Sequence, residues 1–299
     1  MNGLLLGISV VMNLLSCGIL RNDFCKNGIA GDADLNAFNC FSSLLSAATL
    51  AVIALVSGKL CAPSAYTLAM SAAFGLATAL CAILHMRALE SGPLSYTSVI
   101  CSCSMVIPAL SGLVFFGERV TVLQYAGMAL MVVSFACAVD RHSGENGMTI
   151  KWMLLCLGSF MFSGGVGVMQ KVHQSSAHRD ELGIFLVCAF VVSAIFSAAA
   201  SLYCRKIKRR RITVLSGARF RKFAAVGAVS GVGIALCNQI NMYLAGVMDA
   251  IIFYPVVNGA GMLLTTAAGL ILWKEKLSSK QWIGLVTGAA AIFLLCGVL

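Results

Sequence analysis

Charge is what this chain has least of. Only 11% of its 299 residues are Asp, Glu, Lys or Arg, against about 25% in a soluble domain. The eleven acids (Asp23, Asp32, Asp34, Glu90, Glu118, Asp140, Glu145, Asp180, Glu181, Asp249 and Glu275) all fall at or near the ends of apolar runs. A soluble core gives no reason for that sorting. A bilayer does, because an ionised group at its centre costs at least ~2.5–3.5 kcal/mol. Alternation of apolar and polar residues over segments of about ten, the mark of a membrane barrel, is missing too. The thirteen cysteines include no Cys-x-x-Cys pair, and Cys101 and Cys103 have no neighbouring histidine. Most cysteines lie inside apolar runs, where they act as small hydrophobes, so no metal, redox site or cofactor is expected. The opening "MNGLLLGISVVMNLLSCG" has no basic residue before its apolar stretch and no small-x-small cleavage pattern, so it reads as a retained first helix rather than a leader.

What is present is hydrophobicity, 60% of residues, in runs close to the roughly 20 apolar residues a bilayer span requires. Ten such runs lie at about 4–20, 36–57, 65–87, 93–116, 121–139, 151–171, 182–203, 222–245, 248–273 and 281–299. The connections leave no room for a soluble domain. The sequence therefore predicts an all-α polytopic membrane protein of ten transmembrane helices.

The runs repeat. "FFGERVTVLQYAG" (115–127) is echoed by "LWKEKLSSKQWIG" (272–284), aligning Glu118 with Glu275, Gln124 with Gln281 and Gly127 with Gly284. "ALCAILHM" (79–86) is echoed by "ALCNQINM" (235–242), and "DLNAF" (34–38) by "ELGIF" (181–185). Two copies of five helices follow: 1–139, a connecting loop at 140–150, and 151–299. Five is odd, so the second copy must enter the membrane from the opposite face. Inverted repeats of this kind recur in secondary transporters, with the substrate near the midplane between the halves.

The run "RALESGPLSYTSVICSCSMVIPALSGLVFFGERVTVLQYAGMAL" (87–130) resembles the EamA-type module of the drug/metabolite transporter superfamily. The shared marks are a helix opened by Gly-Pro, a glycine in its second half, then Gly-Glu-Arg and a Gln-x-x-Gly entry to the next helix. The second copy keeps the glycine, the glutamate and Gln-x-x-Gly, and has Asp249-Ala250 in place of Gly-Pro. The resemblance covers essentially the whole chain. It implies a carrier and says little about its substrate. Proton-coupled small multidrug carriers, relatives of that superfamily, place a glutamate in their first helix. Here Asn13 is present and no acid, which argues against carboxylate-coupled exchange of cations.

Glu118 and Glu275 each sit in a tight turn between the fourth and fifth helices of a half. The expected role is structural: capping the helix that follows, where negative charge meets the helix dipole, or pairing with Arg119 or another base. Lys and Arg favour cytoplasmic loops. Seventeen of the 21 basic residues fall in the odd-numbered loops, nine of them in 205–222. That places both termini outside, whereas the resembled superfamily has them inside. The basic loop lacks aromatic interleaving, so lipid headgroups rather than nucleic acid are its expected neighbours.

Polar side chains inside apolar helices mark packing contacts or a cavity. The eighth run carries Asn238, Gln239 and Asn241, with the two asparagines one turn apart. The ninth carries Tyr254 and Asn258. These, with Asn13, His85 and Lys171, are the candidate substrate-binding residues. Pro108 and Pro255 are candidate hinges, since proline frees a carbonyl and permits a bend. The expected function is a secondary carrier, not an enzyme, that exports a small polar metabolite such as an amino acid across the plasma membrane by alternating access. An importer or exchanger of the same fold is the alternative, and a homodimer is compatible with either. A channel or a membrane enzyme is disfavoured; for an enzyme only His173, His178, Asp180 and Glu181 offer reactive groups, at spacings that fit no hydrolase or metal centre.

Overall fold

A computed structural model of the chain describes residues 2–16, 31–58, 61–91, 103–137, 149–206, 217–272 and 279–296. Among the described residues there is no strand, and each of the ten apolar runs carries a helix. They are α1 (Asn2–Asn13), α2 (Asp32–Val56), α3 (Ala65–Ser91), α4 (Val106–Phe115), α5 (Val122–Cys137), α6 (Ile150–Gln174), α7 (Leu182–Lys206), α8 (Gly217–Val247), α9 (Ala250–Leu272) and α10 (Ser279–Cys296). Single 3-10 turns, Cys103–Met105 and Arg179–Glu181, lead into α4 and α7. Five helical stretches, Asp32–Val56, Ala65–His85, Ile150–Gln174, Arg179–Lys206 and Phe220–Val247, are long and apolar enough to cross a membrane. Five others are apolar but shorter over their described residues. This is a helical membrane protein, and large apolar side chains such as Leu4, Val56, Val114 and Ile195 lie on its outer surface, as lipid contact requires.

The chain forms two compact units, and each draws helices from both halves of the sequence. The first comprises residues 1–79 and 173–243. Within it α2 and α7 run antiparallel: Ser201 donates to the Ala33 carbonyl at 2.9 Å, Ser43 and Ser193 share a hydrogen bond of 3.3 Å, and Ala54 faces Gly183. On its other side α2 lies along α8. Gly227 leaves room for Phe41, Gly231 sits against Ser42 and Leu45, and Ser46 donates to the Gly231 carbonyl at 2.7 Å. The Gly-x-x-x-Gly of α8 is thus a packing device that lets two backbones approach. Phe38, Phe41 and Phe223 close one end of that seam, with ring centroids 5.7 and 5.4 Å apart.

The second unit comprises residues 80–172 and 244–299. Here α5 and α10 are antiparallel: Ser134 donates to the Gly284 carbonyl at 2.6 Å, Gly288 packs on Ser134, and Gly127 packs on Ala291 and Leu295. α4 lies on α6 through Ile107 on Gly164, Pro108 on Gly167, and a 2.8 Å hydrogen bond from Ser104 to Ser163. Some half-buried hydroxyls return to their own helix, as Thr49 does to Leu45 and Thr78 to Phe74, so these need no outside partner.

Candidate functional site

Glu118 shows how far a single polar group can reach. α4 ends at Phe115, and Gly117 follows in the left-handed region at φ +61°, the conformation that closes helices and that glycine adopts without penalty. The Glu118 N–H then bonds back to the Gly112 carbonyl at 3.2 Å. This turn aims the carboxylate away from the next helix and at the start of α9. Its two oxygens accept the N–H groups of Ala250 at 2.9 Å and Ile251 at 3.2 Å. These are donors at a helix start, which no helical carbonyl can satisfy. Gly112 makes the approach feasible, since a Cβ there would collide with the carboxylate and stand 3.0 Å from Ala250 Cβ.

Lys171 completes the arrangement. Its ammonium lies 2.9 Å from Glu118 and donates to the Met248 carbonyl at 2.8 Å. The Phe116 ring is 5.8 Å from the same nitrogen, within cation–π range. The two side chains are only 9% and 6% exposed. One carboxylate and one ammonium thus bind both kinds of orphan backbone group at the α9 entrance.

The expectation that Glu118 caps the helix following it is corrected here. That cap is built by Thr121 and Gln124, whose side chains bond reciprocally to each other's backbone N–H at 2.9 and 3.3 Å. Thr-x-x-Gln is a capping box, legible in the sequence once sought. With its own helix already capped, Glu118 is free to serve one 132 residues further along the chain. Its expected counterpart, Glu275, lies outside the described residues. Lys171, expected among the substrate-facing residues, is taken up by this ion pair.

The remaining candidates divide between the units. In the first, Asn241 accepts from Ser9 of α1 at 2.6 Å, Cys237 donates to the Ser9 carbonyl at 3.5 Å, and Asn238 donates to its own helix at Ile234, 2.9 Å away. Between the two asparagines, the Gln239 Oε1 is buried and has no hydrogen-bond partner among the described residues. Asn13 is exposed on α1. In the second unit Tyr254 is buried and donates to the Gly167 carbonyl at 2.6 Å, while the exposed Asn258 donates to the Tyr254 carbonyl at 2.9 Å. Tyr254 therefore ties α9 to α6, and Asn258 bonds back within α9. His85 is half-buried on α3. Of the two candidate hinges, Pro255 lies inside α9, where it removes a helical donor. Pro108 lies in the first turn of α4, where a missing N–H costs nothing.

The helical fold is shared with a protein of solved structure. A solved crystal structure, described only as that of a protein, shares it with a TM-score of 0.74 and 15% identity over 99% of both chains; at that identity the likeness shows the fold alone. A similar protein of Haemophilus influenzae, described as an uncharacterized protein, is 19% identical over 214 residues, 71% of this chain and 70% of that one. No family profile matches the sequence.

Proposed function

We propose that this chain is a secondary carrier of the EamA-type drug/metabolite transporter kind, moving a small polar solute across the plasma membrane in the direction of export. The observation that carries the reading is the Gln239 side-chain carbonyl, buried on α8 without a hydrogen-bond partner among the described residues and flanked by Asn238 and Asn241. A buried polar atom left unpaired costs about 1–3 kcal/mol. A bound water or a polar solute would remove that cost, and neutral carboxamides suit a zwitterion or an uncharged metabolite. The repeated phrases support two inverted halves, and so does the antiparallel packing of α2 on α7 and of α5 on α10, the pairs that the sequence repeat makes equivalent.

Counterflow in proteoliposomes, run against a panel of amino acids and related metabolites, tests this directly, since only a carrier exchanges a trapped solute against its own gradient. With the solute in hand, Gln239→Met should raise the half-saturating concentration about tenfold, the equivalent of ~1.4 kcal/mol. It should leave thermal stability unchanged or raise it, because the oxygen has no hydrogen-bond partner among the described residues. A loss of stability with unaltered saturation would make Gln239 a packing residue and move the site elsewhere.

Orientation is open to a separate measurement. With the basic 205–222 segment in the cytoplasm, a single thiol introduced at Ser216 in a cysteine-free background should resist an impermeant maleimide in intact cells and react after lysis. Rapid labelling of intact cells would reverse the topology.

A further inference from the structure

The loop joining α6 to α7 closes over a group that nothing in the carrier reading uses. His173, in the last turn of α6, is fully buried. Its Nδ1 lies 3.3 Å from the Gln174 amide nitrogen, which also donates to the Arg179 carbonyl at 3.5 Å. An amide nitrogen can only donate, so Nδ1 is the acceptor and the ring proton sits on Nε2. That nitrogen donates to the Thr67 hydroxyl at 3.2 Å. Thr67 also lies near enough to the Glu181 carboxylate to stabilise its charge. Glu181 further accepts the N–H and the hydroxyl of Ser64, both at 2.9 Å, and pairs with His178 at 3.0 Å. The Phe185 ring packs on His173 with centroids 4.3 Å apart, and Tyr66 stacks between His173 and His178 at 6.3 and 5.2 Å.

We propose that His173, Thr67 and Glu181 form a proton-binding site. The unprotonated ring has one open lone pair, on Nδ1, covered only by an amide that can turn over. When it does, Gln174 presents its oxygen, Nδ1 takes a proton from water, and the imidazolium is held by that oxygen and by Thr67. The new charge faces the Glu181 carboxylate across the Thr67 hydroxyl, and the Phe185 ring lies within cation–π range of it. Against it stands His178, which is 38% exposed and is balanced by the same Glu181. Among the described residues the ring meets Thr67 and Tyr66 from α3, Gln174 beside it and Phe185 from α7, with His178 and Glu181 as the nearby titratable groups of the loop. Turning the amide also releases the Arg179 carbonyl, so proton uptake alters the tie between α6 and the 175–179 turn. The use of this proton, as the ion moved with a solute, rests on the carrier reading; the site itself does not.

The test is a histidine-ring NMR titration of the 13C-labelled protein in nanodiscs. The chain has four histidines, so His173→Gln assigns the signal, and replacing the other three does so if that variant fails to fold. The His173 ring should titrate within the range in which the protein stays folded. Glu181→Gln, or Thr67→Val if the first is unstable, should lower the midpoint by about one pH unit, a tenfold loss of proton affinity. A wild-type ring that stays uncharged down to pH 5 in folded protein overturns the site, and so does a midpoint indifferent to both variants. A titrating His173 without solute counterflow retires the carrier and keeps the proton site; counterflow with a silent His173 does the reverse.

Discussion

Glu118→Gln should lower the stability of this protein by about 3–5 kcal/mol, the cost of breaking a buried ion pair by removing one partner. The glutamine can still accept one N–H from the start of α9. It cannot accept two and also face an ammonium. Lys171 would be left buried at 9% exposure with the Met248 carbonyl as its remaining acceptor, and its amide neighbour would carry no compensating charge. Lys171→Met should cost less, because the carboxylate left behind keeps the two α9 N–H groups and the positive end of that helix. The double variant should recover much of the Glu118→Gln loss, since a neutral pair leaves no charge stranded. Thermal unfolding of the four proteins in one detergent gives the comparison. Equal melting of wild type and Glu118→Gln would sink this account and return the carboxylate to a gating or coupling role. Transport per folded molecule should change less than folded yield.

Gly75→Val should abolish monodisperse protein in detergent, or nearly so. Gly75 lies where α3 meets α7, and a Cβ built on it would run into the Ala189 carbonyl, with the Ala189 carbonyl carbon at 3.0 Å and Val192 Cβ at 3.1 Å. The obstacle is helix backbone, which cannot swing aside as a side chain can, so α3 and α7 must separate. Even one added methyl in such a seam costs about 1–3 kcal/mol, and valine adds three carbons. The control is Gly165→Ala in α6, where a Cβ would meet nothing within 4 Å. It should be neutral or raise stability, since alanine is the better helix former by about 1 kcal/mol. If both variants fold alike, close backbone approach is not what selects glycine at position 75.

How much of this could be read before any coordinates depends on the range of the physics involved. The helices were legible because bilayer thickness acts on contiguous residues, and each run carries its own length and polarity. The Thr121–Gln124 capping box was equally local and equally readable. The destination of Glu118 was not, because its partners Lys171, Ala250 and Ile251 are chosen by the packing of α4, α6 and α9, and nothing in "FFGERV" encodes them. Lys171 looked like a residue for a substrate because a cation near an apolar helix is costly alone, and sequence does not reveal that it is paired. The five carboxamide and hydroxyl groups on α8 and α9 looked like one cluster because they are near in sequence. Tertiary structure ties Tyr254 to α6, the bond of Asn258 stays within α9, and Gln239 keeps an oxygen unpaired among the described residues. His173, set aside for want of a catalytic spacing, gained its meaning from Thr67, a residue 106 positions away.

By itself, then, the sequence determined the helices and their apolar character, since hydrophobicity and capping are properties of neighbours along the chain. Which charge met which helix end, which glycine faced a backbone, and which histidine was sealed beside a carboxylate were decided only in the folded chain. Those contacts join different helices, up to 132 positions apart in the case of Glu118 and Ala250, and are selected by the shape of packed helices rather than by any local pattern.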